Sequence, residues 1–116
     1  METEIEQIKK QLAFLARQKK SRIVPWEKDL PKKWWFSGVI DPRSNMPFTP
    51  DGAWDFIAEK LEERGTTIEE ITLDKPQGKK AYVLHVDTVH GEIYIKVHFG
   101  EGNTIVGRSF HYSNDE

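Results

Sequence analysis

The chain contains no cysteine among its 116 residues, which excludes disulfide bonds and thiolate metal sites. It also has no run of the roughly 18 consecutive apolar residues that a membrane-spanning helix requires. Its opening residues, METEIEQIKK, lack the apolar segment and the small-residue cleavage site of a secretory signal. These absences predict a cytoplasmic protein that has no membrane partner.

Charged residues are abundant and unevenly distributed. Hydrophobic residues make up 37% of the chain and charged residues 31%, a composition that predicts a single soluble domain over residues 1–116. Residues 1–36 carry nine Lys/Arg against five Asp/Glu, whereas residues 37–116 carry eight against fourteen. This balance argues against a uniformly basic nucleic-acid-binding protein and leaves a local basic arm near the front that can contact phosphates.

The first segment, residues 1–20, has the periodicity of an N-terminal helix. Ile5, Ile8, Leu12 and Leu15 recur at spacings of three and four, which puts them in one narrow stripe. Such a stripe either docks on the helix's own domain or forms a seam with a partner, including a second copy in a homodimer.

A connector and a second helix follow. Residues 21–50 hold five of the six prolines and three of the four tryptophans, which predicts an ordered connector without a long regular element. Thr49 and Pro50 are a helix N-cap and first residue, so a helix is predicted over residues 51–65. Gly65 is then expected to cap that helix in the left-handed conformation.

The last part of the chain, residues 71–113, is predicted to be an antiparallel sheet of three or four strands. Its apolar residues alternate with polar ones, and turn signals at His90-Gly91 and Gly102-Asn103 separate the strands. Residues 71–75 suit either a strand or a short helical turn. With the helices packed on one face of this sheet, the expected fold class is α+β.

The turns define which residues of the sheet are neighbours. A four-residue loop over residues 88–91 and a two-residue turn at Gly102-Asn103 define the register. They place His85, Tyr94 and His111 in one row and Lys96 opposite Ser109. The same register assigns three residues of the last strand to the core face: Val106, Arg108 and Phe110. Arg108 reaches the opposite face instead if Gly107 hosts a bulge.

The polar face predicted in this way carries a set of residues suited to proton transfer. His85 and His111 can exchange protons near neutral pH, Tyr94 can orient one of them, and Lys96 can offset charge on a phosphoryl group. The set lacks a strong nucleophile and a carboxylate among the candidate metal ligands, so neither acyl transfer nor a metal or other cofactor is predicted. It suits metal-independent RNA cleavage, although an ordinary solvated sheet face has a similar composition.

The connector adds candidate RNA contacts. Lys32, Lys33, Trp34 and Trp35 combine cations with aromatic rings, the mixture that binds single-stranded nucleic acid, and Arg108 is a further candidate. Alternatively, the aromatic side chains fill the core.

The C-terminal part resembles a known family. The run Gly91–Val97, GEIYIKV, followed by Ser109-Phe110-His111, is similar to the end of the MqsR-type toxins of the RelE-like ribonuclease superfamily, in which a G-E-[VI]-Y-[LI]-K-V strand leads to S-F-K. The resemblance implies a RelE-like fold, mRNA interferase activity and a cognate antitoxin partner. It puts the family's catalytic tyrosine at Tyr94 and its C-terminal lysine at His111. If residues 71–75 form a strand, an upstream family lysine falls at Lys75, whereas a family glutamine has no counterpart.

The sequence thus predicts a metal-independent endoribonuclease of the toxin type in which His85 and His111 share the proton transfers. The alternative is a non-catalytic regulatory module, antitoxin-like or phage-type, that binds a protein or a nucleic acid.

Overall fold

Each helix begins at a threonine whose side chain accepts a backbone hydrogen bond. The computed structural model describes residues 3–24, 33–74 and 77–114, and in it α1 spans Glu4–Arg17 and α2 spans Pro50–Glu62. The Thr3 hydroxyl accepts from the Glu6 amide at 3.2 Å, and the Thr49 hydroxyl accepts from the Gly52 amide at 3.0 Å. These caps satisfy amides that have no partner within the helix, which is why both helices begin where they do.

The predicted glycine cap of α2 is wrong. The helix ends at Glu62, and Gly65 is not among the glycines with positive φ in the described chain. Instead, the Lys9 ammonium of α1 donates to the carbonyl oxygens of Glu63 and Thr66. A lysine from the neighbouring helix therefore satisfies carbonyls just beyond the helix end, as a basic side chain at a helix C-terminus can.

The apolar stripe of α1 packs on its own domain. Leu12, Leu15 and two alanines of α1 are buried in the core, and the Arg17 guanidinium reaches Glu62 of α2 at 2.7 Å. Ile8 is partly buried against this core, whereas Ile5 is 37% exposed and Phe14, on the outward side, is 63% exposed. The docking alternative is thus confirmed for the C-terminal half of the stripe, while a homodimer through the helix stays a prediction.

The sheet has six strands among the described residues. They are β1 (Arg22–Ile23), β2 (Lys33–Trp34), β5 (Glu69–Thr72), β6 (Lys80–Thr88), β7 (Gly91–Phe99) and β8 (Ile105–Tyr112), while β3 (Ile40–Asp41) and β4 (Met46–Pro47) form a separate small hairpin. The order is β1-β8-β7-β6-β5, with β2 also on the outer edge of β8; β5 to β8 are antiparallel, and β1 and β2 run parallel to β8. The predicted α+β class is confirmed, and residues 71–72 of the ambiguous segment are strand. The prediction of a purely antiparallel sheet of three or four strands is wrong, because β1 and β2 from the connector add parallel strands at the edge of β8.

The core lies between the helices and one face of the sheet, which we call the first face; the opposite face is the second face. The Phe110 ring is fully buried and makes edge-to-face contacts with Phe48, Phe56 and Trp34, at centroid distances of 4.9, 6.4 and 5.6 Å. Trp34 also lies 5.1 Å from Trp54 of α2. Trp34, a candidate RNA contact in the sequence, is thus partly buried and packs against the core.

The predicted register holds where the candidate residues lie and fails beyond them. His85 pairs with Tyr94, Tyr94 with His111, and Lys96 with Ser109, as predicted. The β7–β8 connection is longer than the predicted turn, because the Gly100 amide bonds to the Thr104 carbonyl.

A register shift in β8 compensates for this longer loop. Val97 pairs with Gly107 and Lys96 with Ser109, which leaves Arg108 as the extra residue of a bulge. The assignment of Val106 and Arg108 to the core face is therefore wrong. Ile105 takes the core position, and Gly107 makes room for Trp34, whose ring atoms lie only 2.7 Å from where a β-carbon would sit.

Candidate functional site

Four aromatic rings form a row across the second face of the sheet. The His85 and Tyr94 ring centroids are 5.3 Å apart, edge to face, and the Tyr94 and His111 rings stack at 5.3 Å with 23° between their planes. Trp35, directly after β2, extends the row with its ring 5.8 Å from that of His111. We call these four side chains the aromatic row. It crosses the sheet from β6 through β7 and β8 to the end of β2.

The aromatic row is accessible at its ends. The Trp35 residue is 48% exposed and the His85 side chain is 48% exposed, Tyr94 is half-buried, and His111 is only 1% exposed. The Trp35 amide donates to the Phe110 carbonyl at 2.9 Å, which fixes the tryptophan against β8. A planar ligand therefore has access to the Trp35 and His85 ends, whereas His111 serves as packing between them.

A carboxylate orients His85. Glu92 Oε1 lies 3.0 Å from His85 Nδ1 and also accepts a hydrogen bond from the Ser113 hydroxyl. The Ser113 bond, followed by the His85 bond, lowers the pKa of Glu92, so this carboxylate is ionised at neutral pH. An ionised carboxylate can only accept, hence the proton of the neutral imidazole sits on Nδ1 and Nε2 is left as a base.

Sequence reasoning missed Glu92. Register pairs Glu92 with Asp87, and His85 lies two residues from Asp87 on the same strand. Diagonal neighbours in an antiparallel pair are within reach of long side chains. The predicted register therefore already placed Glu92 near His85, as a diagonal neighbour on β7 and not as its direct partner.

The other two imidazoles of this face are buried and bonded to backbone carbonyls. His111 Nδ1 lies 2.7 Å from the Tyr112 carbonyl oxygen, and His98 Nδ1 lies 2.8 Å from that of Phe99. A carbonyl only accepts, so each Nδ1 is a donor. Burial, the largest cause, lowers the pKa of His98. Of the three histidines on this face, His85 is the one whose ring is open to solvent.

His85 and His111 lie on strands separated by β7, so their backbones are roughly 10 Å apart at the usual strand spacing, with the Tyr94 ring between them. The fourth histidine, His90, lies in the β6–β7 turn, where its Nε2 is 2.8 Å from the Asn45 side chain. The structure thus brings His85, Tyr94 and His111 into one row without making the two imidazoles neighbours.

Positive charge lies beside the aromatic row. Lys96 is two residues from Tyr94 on β7 and is half-buried, and Arg108 is buried at the bulge of β8. Lys33 pairs with Ser109 in the backbone register. Lys32, and the Lys75 of the family resemblance, lie outside the described residues.

In the described part of the chain, no group of three or more His, Asp or Glu side chains is arranged to hold a metal ion. No helix in those same ranges is long and apolar enough to cross a membrane. No protein-family model, no curated protein and no solved structure matches the chain.

Proposed function

We propose that the protein binds single-stranded RNA on the second face of its sheet. The observation that carries the proposal is the aromatic row, open to solvent at Trp35 and at His85. Antiparallel sheets with helices on one face bind unpaired RNA on the other by stacking bases on aromatic side chains. The row has that placement, because the helices pack on the opposite face.

Charge on this face supports the same function. Lys96, which is half-buried and two residues from Tyr94 on β7, supplies positive charge on the face of the rings, although the whole chain has a formal charge of -2. The Glu92 carboxylate beside His85 accepts hydrogen bonds from His85 and Ser113, which reduces its repulsion of a phosphate. Local positive charge beside stacking surfaces can bind an RNA strand even when the net charge of the protein is not positive.

Replacing Trp35 with alanine tests this function. Stacking of one base on an aromatic ring contributes about 1–3 kcal/mol, so Trp35→Ala is expected to weaken RNA binding by roughly 5- to 150-fold. Fluorescence anisotropy with a labelled oligoribonucleotide of about ten nucleotides measures the affinity.

Phe14→Ala is the matched control, since it removes an exposed ring from α1, on the helical side of the molecule. We expect this variant to bind as the unmodified protein does. Equal RNA affinities of the two variants, or no RNA binding by the unmodified protein, would refute the proposal. Equal affinities of the unmodified protein for DNA and RNA oligonucleotides would show that it does not prefer RNA.

RNA cleavage is a second candidate, favoured by one observation, the bond between Glu92 and His85. In this candidate His85 Nε2 removes the 2′-hydroxyl proton, the 2′-oxygen attacks the adjacent phosphorus, and the 5′-oxygen leaves with a proton from solvent. Lys96 offsets the charge that develops on the phosphoryl oxygens. The candidate agrees with the resemblance to RelE-like toxins, and it needs only one accessible imidazole.

Expression in a bacterial host separates the two candidates at low cost. A toxin that cleaves RNA arrests growth unless its antitoxin is also present, whereas a binding module is tolerated. Harmless expression of the intact chain, with RNA binding in vitro, would favour the non-catalytic function.

A further inference from the structure

The outer edge of β6 is open beside the aromatic row. Within the described residues β5 pairs with β6 only as far as Val83, whereas β6 continues to Thr88, so no strand of those residues lies beside residues 84–88. Thr88 and Gly91 close a two-residue turn and therefore exchange both of their backbone hydrogen bonds. Because the bonding direction alternates along an antiparallel strand, the N–H and C=O groups of His85 and Asp87 point away from β7, toward this open edge.

A cavity of about 440 Å³ opens at the same edge, and we call it the edge cavity. Its apolar lining includes Pro42, Val86 and Val89, and its charged lining residues are Lys60 and Asp87. The Lys60 ammonium already pairs, at 3.1 Å, with the carboxylate three residues later in the chain. Asp87 is exposed, and its carboxylate has no hydrogen-bond or ion-pair partner among the described residues. The edge cavity thus combines apolar walls with a carboxylate that is ready to accept hydrogen bonds.

We propose that the edge cavity binds a guanine base of the RNA. Guanine is the nucleobase whose Watson–Crick edge carries two adjacent donors, N1–H and the 2-amino group, which one carboxylate accepts side by side. Its O6 atom is an acceptor for a backbone N–H of the β6 edge. On adenine, cytosine and uracil an acceptor adjoins the donor, so the carboxylate of Asp87 meets a lone pair there and repels it.

The edge cavity lies where the proposed RNA strand leaves the aromatic row. Asp87 follows His85 by two residues on β6, so their Cα atoms are roughly 7 Å apart and their side chains share the second face. Neighbouring nucleotides of an unstacked strand span such a distance. Glu92, which pairs with Asp87, is already bonded to His85 and Ser113, so Asp87 is the carboxylate left for a base. Recognition of guanine within RNA rests on the proposed function, whereas binding of a free guanine nucleotide does not.

Guanosine monophosphate is the first probe, because it tests the edge cavity without an RNA strand. In an NMR titration of the backbone amides, we expect it to shift the signals of Asp87 and Val89 and to bind about tenfold more tightly than the adenosine, cytidine and uridine monophosphates. Inosine monophosphate lacks the 2-amino group and is expected to bind about fivefold more weakly than guanosine monophosphate. Equal binding of the four standard nucleotides would refute the guanine site.

The Asp87→Asn variant is the second test, with RNA decamers of uridine that carry either one central guanosine or none. The substitution removes one of the two acceptors, so we expect fluorescence anisotropy to show about fivefold to tenfold weaker binding of the guanosine decamer. It also removes a negative charge beside the strand, so binding of the all-uridine decamer is expected to strengthen by about twofold. A purely structural role of Asp87 would move both affinities in the same direction.

Asp74→Asn is the matched control. Asp74 is also exposed, but it follows the end of β5, in the connection to the start of β6. We expect this substitution to leave the affinities for both decamers unchanged. Equal effects of the Asp74 and Asp87 substitutions would contradict the proposal.

The guanine site and the proposed function fail in different ways. If guanosine monophosphate binds in a manner that depends on Asp87 while no oligoribonucleotide binds, the guanine site stands and the proposed function fails. If RNA binds through Trp35 with equal affinity for both decamers, and Asp87→Asn has no effect, the function stands and the guanine site is refuted.

Discussion

Replacing His85 with asparagine is expected to reduce RNA cleavage by about 10²- to 10⁴-fold, if cleavage is among the activities of this protein. Asparagine keeps a polar side chain but cannot take a proton from the 2′-hydroxyl. His85 is the one imidazole of the sheet face that is open to solvent and held by a carboxylate, so no other histidine there replaces it. Gel separation of a labelled oligoribonucleotide, with a chelator present, measures the rate.

His90→Asn is the matched control for His85→Asn. His90 is also exposed, yet it lies in the β6–β7 turn and contacts Asn45. We expect its substitution to leave the rate unchanged. A rate that His85→Asn does not lower would remove His85 from the mechanism, and loss of the activity with the chelator would point to a metal ion instead.

Glu92→Gln tests whether the Glu92 carboxylate orients His85 for cleavage. The glutamine keeps the size of the side chain and loses the charge that holds the His85 proton on Nδ1. We expect a smaller loss of rate than for His85→Asn, together with a changed pH profile, while KM changes little because Glu92 does not contact the substrate in this mechanism. A loss confined to KM would show that Glu92 acts in binding.

Replacing Phe110 with alanine is expected to lower the free energy of unfolding by about 3–5 kcal/mol. The ring is fully buried and contacts aromatic side chains from three segments: Trp34 of β2, Phe56 of α2, and Phe48, which lies between β4 and α2. Because β2 is paired with β8 and α2 is a regular helix, these side chains cannot move fully into the space that the ring leaves. Urea denaturation followed by circular dichroism measures the change.

Phe14→Ala controls for the general cost of removing a phenylalanine. Its ring is 63% exposed on α1, and we expect a change within about 0.5 kcal/mol. A loss below about 1 kcal/mol for Phe110→Ala would mean that the cavity closes and that the aromatic cluster contributes little to stability.

Local sequence patterns predicted much of the fold. The two helix starts follow from threonine caps, and the rows of the sheet follow from alternation between two turns. The pairing of His85 with Tyr94 follows directly from the β6–β7 turn, whereas the pairing of Tyr94 with His111 was predicted correctly because two errors cancelled. The assumed turn at Gly102-Asn103 was too short, and the bulge at Arg108 restored the register.

Other features left no local signal. β1 and β2 are two residues each, too short for a periodic pattern, and they pair with a strand more than 70 residues away in the chain. The bulge depends on Gly107 making room for Trp34, a contact between distant segments. The burial of His111 also depends on tertiary packing, since alternation alone assigns it to the polar face.

Amino-acid order alone determined the α+β class, the N-caps of both helices, and the place of Tyr94, Lys96 and the three sheet histidines on the second face. Each of these depends on neighbours a few residues apart or on a turn between adjacent strands. Only the tertiary structure decided which of those side chains solvent can reach. It buried His98 and His111, left His85 and Trp35 open, and brought Glu92 to His85, because accessibility and diagonal contacts depend on every segment that packs over the sheet.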